Sequence, residues 1–128
     1  PTKTLADIPF VKALVIRYPS ASAASVQRFF DRSKENQKVM ATLDALAEQG
    51  DIDAYERVQD IYGERETLDD IRQTLGEHSQ LIRMINQDES YTSDDKRQLI
   101  DSYYFEMIEM AKYGNEMLDE IDKLSDDK

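Results

Sequence analysis

The sequence predicts an all-α protein, folded as an antiparallel helical bundle of four to five helices with a long C-terminal helix. Only four Gly and three Pro interrupt the 128 residues, and 34% of the residues are charged, which is typical of helices whose polar faces meet solvent. Apolar residues recur at intervals of three and four, the period of an amphipathic helix. The connections between these patterns are short, so neighbouring helices must run antiparallel.

We expect a single helical domain over residues 1–128, because a chain of this length corresponds to one domain. Residues 1–19 are predicted to form an apolar N-terminal segment, and residues 20–128 are predicted to form the helical bundle. The patterns of apolar residues differ between the segment and the bundle.

The N-terminal segment is predicted to contain a short helix from Ile8 to about Val15. Asp7 offers a capping carboxylate and Pro9 suits the first turn, while Pro19 prevents the helix from continuing. Apolar side chains cover nearly every face of this helix, so it is too apolar to lie in open water. We expect it to dock either on the core of its own chain or on a partner.

A second helix is predicted between the serine-rich stretch at 20–25, which supplies capping hydroxyls, and Gln49. Gly50 then provides the left-handed residue that ends many helices. Polar residues interrupt the apolar stripe of this helix midway, namely Ser33, Asn36 and Gln37. They form either a surface-facing turn or a buried hydrogen-bonded layer; we favour the surface, because buried amides need hydrogen-bond partners.

A third helix is predicted from Ile52 to Tyr62, with a break or bend at Gly63 and a new capped start at Thr67. The helix that begins there continues to Gln87, and a short polar loop follows it.

The last helix is predicted from Ser93 to about Leu124, with Thr92 as its cap. It would span about 48 Å, against about 30 Å for the helix before it, so it should overhang. Its apolar seam resembles that of a coiled coil and consists of Leu99, Ile100, Tyr103, Met107, Met110, Gly114, Met117, Ile121 and Leu124. This seam either packs across the broken helix pair around Gly63 or meets another subunit.

The residues that carry chemistry in enzymes form no recognisable site in this sequence. The chain has no Cys, and its one His, His78, lies beside an apolar stripe without a partner at metal-ligand spacing. The acidic pairs lie near helix starts, where they favour the positive end of the helix dipole. Only a carboxylate pair such as Glu106 with Glu109 or Asp101 could support catalysis. We therefore predict a non-enzyme with no catalytic residue, cofactor or metal.

The charge of the chain is unevenly distributed. Residues 1–50 carry 7 basic and 5 acidic side chains, whereas residues 51–128 carry 9 basic and 22 acidic side chains, and the formal net charge is −11. Such a surface repels phosphate groups, so we expect no direct binding to nucleic acid or membrane, while a basic protein would be attracted. The longest apolar stretch, from Ile8 to Ile16, is too short to span a bilayer.

The order of several short motifs resembles one region of a known family. The first motifs are Asp-Ile-Pro-Phe-Val-Lys at 7–12, Tyr-Pro-Ser at 18–20, Arg-Phe-Phe at 28–30 and Glu-Gln-Gly-Asp at 48–51. The later ones are Ile-Arg-Met-Ile-Asn at 82–86, Tyr-Thr-Ser-Asp-Asp-Lys-Arg at 91–97 and Ile-Asp at 100–101. Together they resemble the large polyvalent protein-associated domain 38, a helical region of phage and conjugative-element polyvalent proteins. The resemblance covers residues 5 to about 113, with Phe10 and Lys12 standing where that region has Val and Arg.

The resemblance implies a structural, virion-associated module within an internal or ejected phage assembly. Its partners would be other virion proteins or its own copies, with no small-molecule substrate, and it would pass from the host cytoplasm into the virion. The predicted partner-interface residues are Ile8, Phe10, Val11, Leu14, Val15, Met107, Met110, Met117, Ile121 and Leu124. The alternative is an acidic decoy that imitates the charge of DNA and binds host DNA-handling proteins.

Overall fold

The computed structural model describes residues 21–126 and contains four helices in that part of the chain. They are α1 (Ala21–Glu48), α2 (Ile52–Asp60), α3 (Tyr62–Gln87) and α4 (Ser93–Asp126). No strand occurs among these residues. The prediction of an all-α bundle with a long C-terminal helix is confirmed, whereas the predicted helix from Ile8 to Val15 lies outside the described residues.

Helix α4 is the centre of the bundle, because both α3 and α1 pack along it. Helices α3 and α4 run antiparallel from the short loop between them, where the Lys96 ammonium donates to the carbonyl oxygen of Asn86 at 3.1 Å. Helix α1 runs parallel to α4: the Asn115 amide donates to the Ser25 carbonyl oxygen, and Arg32, two turns further along α1, reaches Asp122. Helix α3 is therefore antiparallel to both of the other long helices.

The turn from α1 into α2 depends on Gly50, which has a φ of 96°. The Asp51 N–H donates to the carbonyl oxygen of Leu46 at 3.0 Å and the Gly50 N–H to that of Ala47 at 3.1 Å. These two bonds form a Schellman motif, which requires a left-handed residue and therefore favours Gly. The Asp51 carboxylate then accepts from the Ala54 N–H at 3.0 Å and caps α2. The predicted glycine cap is confirmed.

The predicted second start at Thr67 is wrong in position. Helix α3 begins at Tyr62, after the single non-helical residue Ile61 (φ −106°, ψ 13°), and Thr67 lies inside the helix. The Thr67 hydroxyl donates to the Gly63 carbonyl oxygen one turn back at 3.1 Å, an arrangement that lets a capping residue type sit within a helix. With 26 residues in α3 and 34 in α4, the overhang of α4 is about 12 Å rather than about 18 Å.

The apolar seam of α4 packs against other helices of the same chain. Its buried residues face α3 and α1 together, and they form a broader stripe than a two-helix seam requires. The buried hydrophobic residues of α4 are Ile100, Tyr104, Met107, Ile108, Ala111, Leu118 and Ile121. The predicted members Tyr103, Met110 and Met117 are partly buried and pack against this core.

The polar interruption of α1 does not face the surface as predicted. Ser33 is buried, with 4% of its surface exposed, and its hydroxyl accepts a hydrogen bond from Nη1 of Arg72 at 3.1 Å. Asn36 and Gln37 are half-buried. The favoured prediction failed because a long arginine side chain from α3 supplies the partner that a buried hydroxyl needs.

Helices α1 and α4 approach each other closely at Gly114. A Cβ atom added there would lie 2.3 Å from Cε1 of the buried Phe29 ring, far inside van der Waals contact. We therefore expect Gly114→Ala to lower the free energy of unfolding by about 1–3 kcal/mol, because the helices must separate or the ring must leave its site. Urea unfolding followed by circular dichroism would measure the change.

Gly63→Ala is the matched control for Gly114→Ala. Gly63 also lies in a helix, but an added Cβ atom there would have no atom within 4 Å, so we expect unchanged stability or a gain of about 0.5 kcal/mol from helix propensity. Equal losses in the two variants would contradict the close approach at Gly114.

Candidate interaction surfaces

An open groove lies between α1 and the C-terminal part of α4, with α2 at one end. It has a volume of about 470 Å³, and no residue of α3 lines it. Its apolar floor consists of Val39, Met40, Leu43, Leu118 and Ile121, and its polar rim consists of Asp31, Arg32, Glu35, Asn36, Arg57 and Asp122. We refer to this feature as the groove.

Two arginines of the rim hold α4 in place. Arg32 donates through Nη1 to the carbonyl oxygen of Asn115 at 3.1 Å, and its Nη2 lies 2.8 Å from Asp119 and 3.3 Å from Asp122. Arg57 of α2 donates to the Ile121 carbonyl oxygen at 2.9 Å. A guanidinium group carries several donors in a fixed plane, so one side chain can bind several acceptors of a neighbouring helix. The groove therefore has a defined width set by these contacts.

Exposed apolar residues lie on both sides of the turn from α1 into α2. Leu46, Ile52 and Tyr55 are 38%, 71% and 57% exposed, and we refer to these three residues as the corner patch. Four exposed acidic residues lie beside these three residues in the sequence, namely Glu48, Asp51, Asp53 and Glu56. Apolar side chains at this exposure inside an acidic border are typical of a contact surface for another protein.

The acidic side chains of the described residues differ in exposure from four of the arginines. Every Asp and Glu between residues 24 and 124 is exposed except Asp44 and Glu64, which are half-buried. Four arginines are half-buried and bind groups on other helices or on their own helix, namely Arg32, Arg57, Arg65 and Arg72. Arg32, Arg65 and Arg72 pair with carboxylates, so these three arginines compensate part of the acidic exterior.

Arg65 and Asp44 form the best-aligned ion pair between α3 and α1. Nη1 and Nη2 of Arg65 donate to the two carboxylate oxygens of Asp44 at 2.7 and 2.6 Å. These hydrogen bonds hold the pKa of Asp44 below its ordinary value and raise the pKa of Arg65. A bidentate pair of this kind fixes the relative position of the two helices as well as adding energy.

The single histidine joins α3 to α4. Nε2 of His78 lies 2.6 Å from Oε2 of Glu106, and Nδ1 lies 3.0 Å from the carbonyl oxygen of Thr74. The ring also meets Tyr103 edge-on at 5.4 Å between centroids. Both ring nitrogens are thus occupied, so in this arrangement neither is available to a substrate or a metal ion.

Two of the carboxylates considered for catalysis, Glu106 and Glu109, each bind a different side chain. Glu106 binds His78, whereas Glu109 lies 3.3 Å from the Lys112 ammonium, one turn along the same helix. Between residues 21 and 126 no three acidic, His or Cys side chains converge in a way that could hold a metal ion. In the same range, no helix combines the length and the apolarity that crossing a lipid bilayer requires.

The predicted partner-interface residues are distributed between core and surface. Met107 and Ile121 are buried in the core, and Met110 and Met117 are half-buried against it. Leu124 is 36% exposed near the end of α4. The remaining five, Ile8, Phe10, Val11, Leu14 and Val15, lie outside the described residues.

Sequence reasoning missed both the groove and the corner patch. Helical spacing does not distinguish Ile52 and Tyr55 from core residues, but α2 buries Ala54 and leaves both of them exposed. The groove combines residues of three helices that are far apart in the chain, so no local pattern could indicate it. The acidic border of Ile52 was the one available signal.

The architecture defines the chain as an all-α bundle in which a central helix is shared by two others. No family model, curated protein or solved structure matches it. The resemblance to the polyvalent-protein region therefore rests on its sequence motifs alone, and the groove and the corner patch are the two surfaces that bear on function.

The Arg65–Asp44 pair leads to a pH-dependent prediction. Because the pKa of Asp44 is lower in the folded chain, the pair stabilises the fold above the ordinary carboxyl value of about 3.9, and this contribution is lost as pH falls below it. We expect Asp44→Asn to lower the free energy of unfolding by about 1 kcal/mol or less at neutral pH, since the carboxylate is 41% exposed. The deficit should shrink at about pH 3.

Urea unfolding at the two pH values measures this effect, with Glu89→Gln as the control. Glu89 lies exposed in the loop before α4, so its substitution should leave stability nearly unchanged. A deficit for Asp44→Asn that is as large in acid as at neutral pH would show that the carboxylate charge is not responsible.

Proposed function

We propose that this chain is a non-enzymatic structural module that binds other proteins, and that it serves in an internal or ejected assembly of a phage. The corner patch is the observation that supports binding, because Ile52 and Tyr55 lie largely exposed on a helix that is anchored to the bundle elsewhere. The motif order described above supports the phage setting.

The chemistry of the corner patch favours a particular kind of partner. Burying a large aliphatic or aromatic side chain stabilises a complex by about 1.5–3 kcal/mol, so the three residues would form the centre of a contact and not the whole of it. The surrounding carboxylates favour a partner with a Lys- and Arg-rich border and oppose face-to-face pairing of two identical patches. We infer a virion protein with an apolar centre and a basic rim.

Ile52→Glu tests this function. The side chain is 71% exposed, so folding should be retained, while the added charge should weaken binding to purified portal or internal virion proteins by at least about tenfold. Binding measured by calorimetry should also weaken as salt is raised, because opposite charges contribute to it.

Met84→Glu is the matched control, since Met84 is 64% exposed on α3 and belongs to neither surface. It should bind like the unsubstituted chain. A strict monomer at high concentration by light scattering, with no affinity for portal, core or sister virion proteins, would contradict the proposed function.

The second candidate is an acidic decoy for host DNA-handling proteins. The observation that favours it is the acidic exterior, because nearly all carboxylates of the described residues are exposed and they outnumber the exposed basic side chains. A mimic of this kind would capture restriction or nucleoid proteins and compete with DNA for them. Ile52→Glu adds negative charge, so it should preserve decoy binding while abolishing the assembly contact. Recovery of no DNA-handling protein from host lysate would exclude the decoy.

A further inference from the structure

His78 meets two oxygen atoms at once, one at each ring nitrogen. Nδ1 lies 3.0 Å from the carbonyl oxygen of Thr74, one turn back on α3, and Nε2 lies 2.6 Å from Oε2 of Glu106 on α4. A backbone carbonyl oxygen and an ionised carboxylate oxygen both accept hydrogen bonds and cannot donate them. Each ring nitrogen therefore needs a proton of its own if both contacts are to be hydrogen bonds.

A neutral imidazole cannot satisfy both contacts. It carries one N–H group, so in either tautomer the other nitrogen would turn a lone pair toward an oxygen lone pair. The imidazolium form donates on both sides, and its positive charge strengthens the hydrogen bond to the carboxylate. Because 57% of the Glu106 side chain is exposed, water stabilises the charged form of that carboxylate. The geometry therefore fits an ion pair between an imidazolium and a carboxylate.

We propose that His78 and Glu106 form a pH-sensitive latch between α3 and α4, closed when the ring is an imidazolium and open when the ring is neutral. Imidazole groups change charge between about pH 5 and pH 8, where ordinary carboxyl groups stay ionised. When the ring loses a proton, one of its two hydrogen bonds is lost, and the exposed Glu106 carboxylate is the partner that can turn into solvent. This inference goes beyond the proposed function and does not rest on it, because the latch belongs to neither the groove nor the corner patch.

The groups around the ring leave His78 as the one that responds in this range. The hydrogen-bond and ring contacts of His78 in the described part of the chain are with α3 and α4. From α4, Glu106 and Tyr103 face the ring, and phenol groups ordinarily titrate only near pH 10. The next carboxylate along α4, Glu109, binds the Lys112 ammonium. The residues three and four positions away on α3 carry no charge, namely Thr74, Leu75, Leu81 and Ile82.

The latch lies in the half of α3 that ends at the loop to α4. Arg65 and Arg72 fasten the other half of α3 to α1, whereas His78 lies beyond them toward the end of the helix. Its partner Glu106 lies in the N-terminal half of α4. Opening the latch should therefore loosen the loop end of the α3–α4 hairpin and leave the contacts between α3 and α1 in place.

A double-mutant cycle at two pH values tests the latch in the full chain. Glu106→Gln keeps the shape of the side chain and removes its charge, while His78→Gln removes the group that titrates. At about pH 5.5 the ring is charged, and we expect Glu106→Gln alone to raise the equilibrium constant for urea unfolding about two- to fivefold. The effect should be much smaller when His78→Gln is also present. At about pH 8.5 the ring is neutral, so the two substitutions should act independently.

Glu109→Gln is the matched control on the same helix. Glu109 is exposed and lies 3.3 Å from the Lys112 ammonium, and lysine keeps its charge throughout this pH range. Its substitution should therefore have the same effect at both pH values. Ile52→Glu should leave the pH dependence unchanged, which separates this inference from the proposed function.

The chain has a single histidine, so its ring can be observed directly. Nitrogen-15 NMR of the labelled ring should show both nitrogens protonated at the acidic pH and one at the basic pH. The cross-peak between the rings of His78 and Tyr103 should weaken over the same interval, because the neutral ring is no longer held from both sides.

Three results would overturn the inference. The first is a ring that stays neutral at the acidic pH. The second is a loss of stability for Glu106→Gln that is equal at the two pH values. The third is coupling between Glu106→Gln and His78→Gln that persists at the basic pH.

Discussion

The contact between Phe29 and the backbone at Gly114 is the constraint on which the arrangement of the bundle depends. A short loop joins α3 to α4 and makes these two helices neighbours. Helix α1 is distant from α4 in the sequence, so only tertiary contacts hold α1 against α4. The absence of a side chain at Gly114 lets the Phe29 ring lie directly against the helix. Once α1 is fixed there, the position of α2 follows, and the contacts of Arg32 and Arg57 with α4 set the width of the groove.

Arginine side chains add polar contacts between the helices to the apolar packing of the core. Arg65 and Arg72 reach from α3 to α1, while Arg32 and Arg57 bind the last turns of α4. These half-buried charges are tolerated because each guanidinium group donates hydrogen bonds to acceptors of the protein. Arg32, Arg65 and Arg72 also pair with carboxylates near the surface. The surface stays acidic because the exposed carboxylates outnumber the exposed basic side chains.

Much of the fold could be predicted from the sequence, because helix periodicity and end signals are local. The Gly50 cap and the long C-terminal helix required no tertiary information. The predictions for Thr67 and Ser33 were wrong because the environment of each residue depends on hydrogen bonds that the local pattern does not show. A threonine can bond to its own helix, and a buried serine is acceptable when an arginine 39 positions away supplies its partner; neither fact is visible locally. Of the interaction surfaces, only the acidic border around Ile52 could be read from the sequence.

Helix α2 is attached more firmly to α1 than to α3. It packs along α1 and has little contact with α3, and the two hydrogen bonds of the Gly50 turn with the Asp51 cap join the two helices stiffly. The single non-helical residue Ile61 separates it from α3. A force applied at Ile52 or Tyr55 would therefore be transmitted mainly along α1 toward Phe29, and it would reach α4 through the hydrogen bond from Arg57 to Ile121.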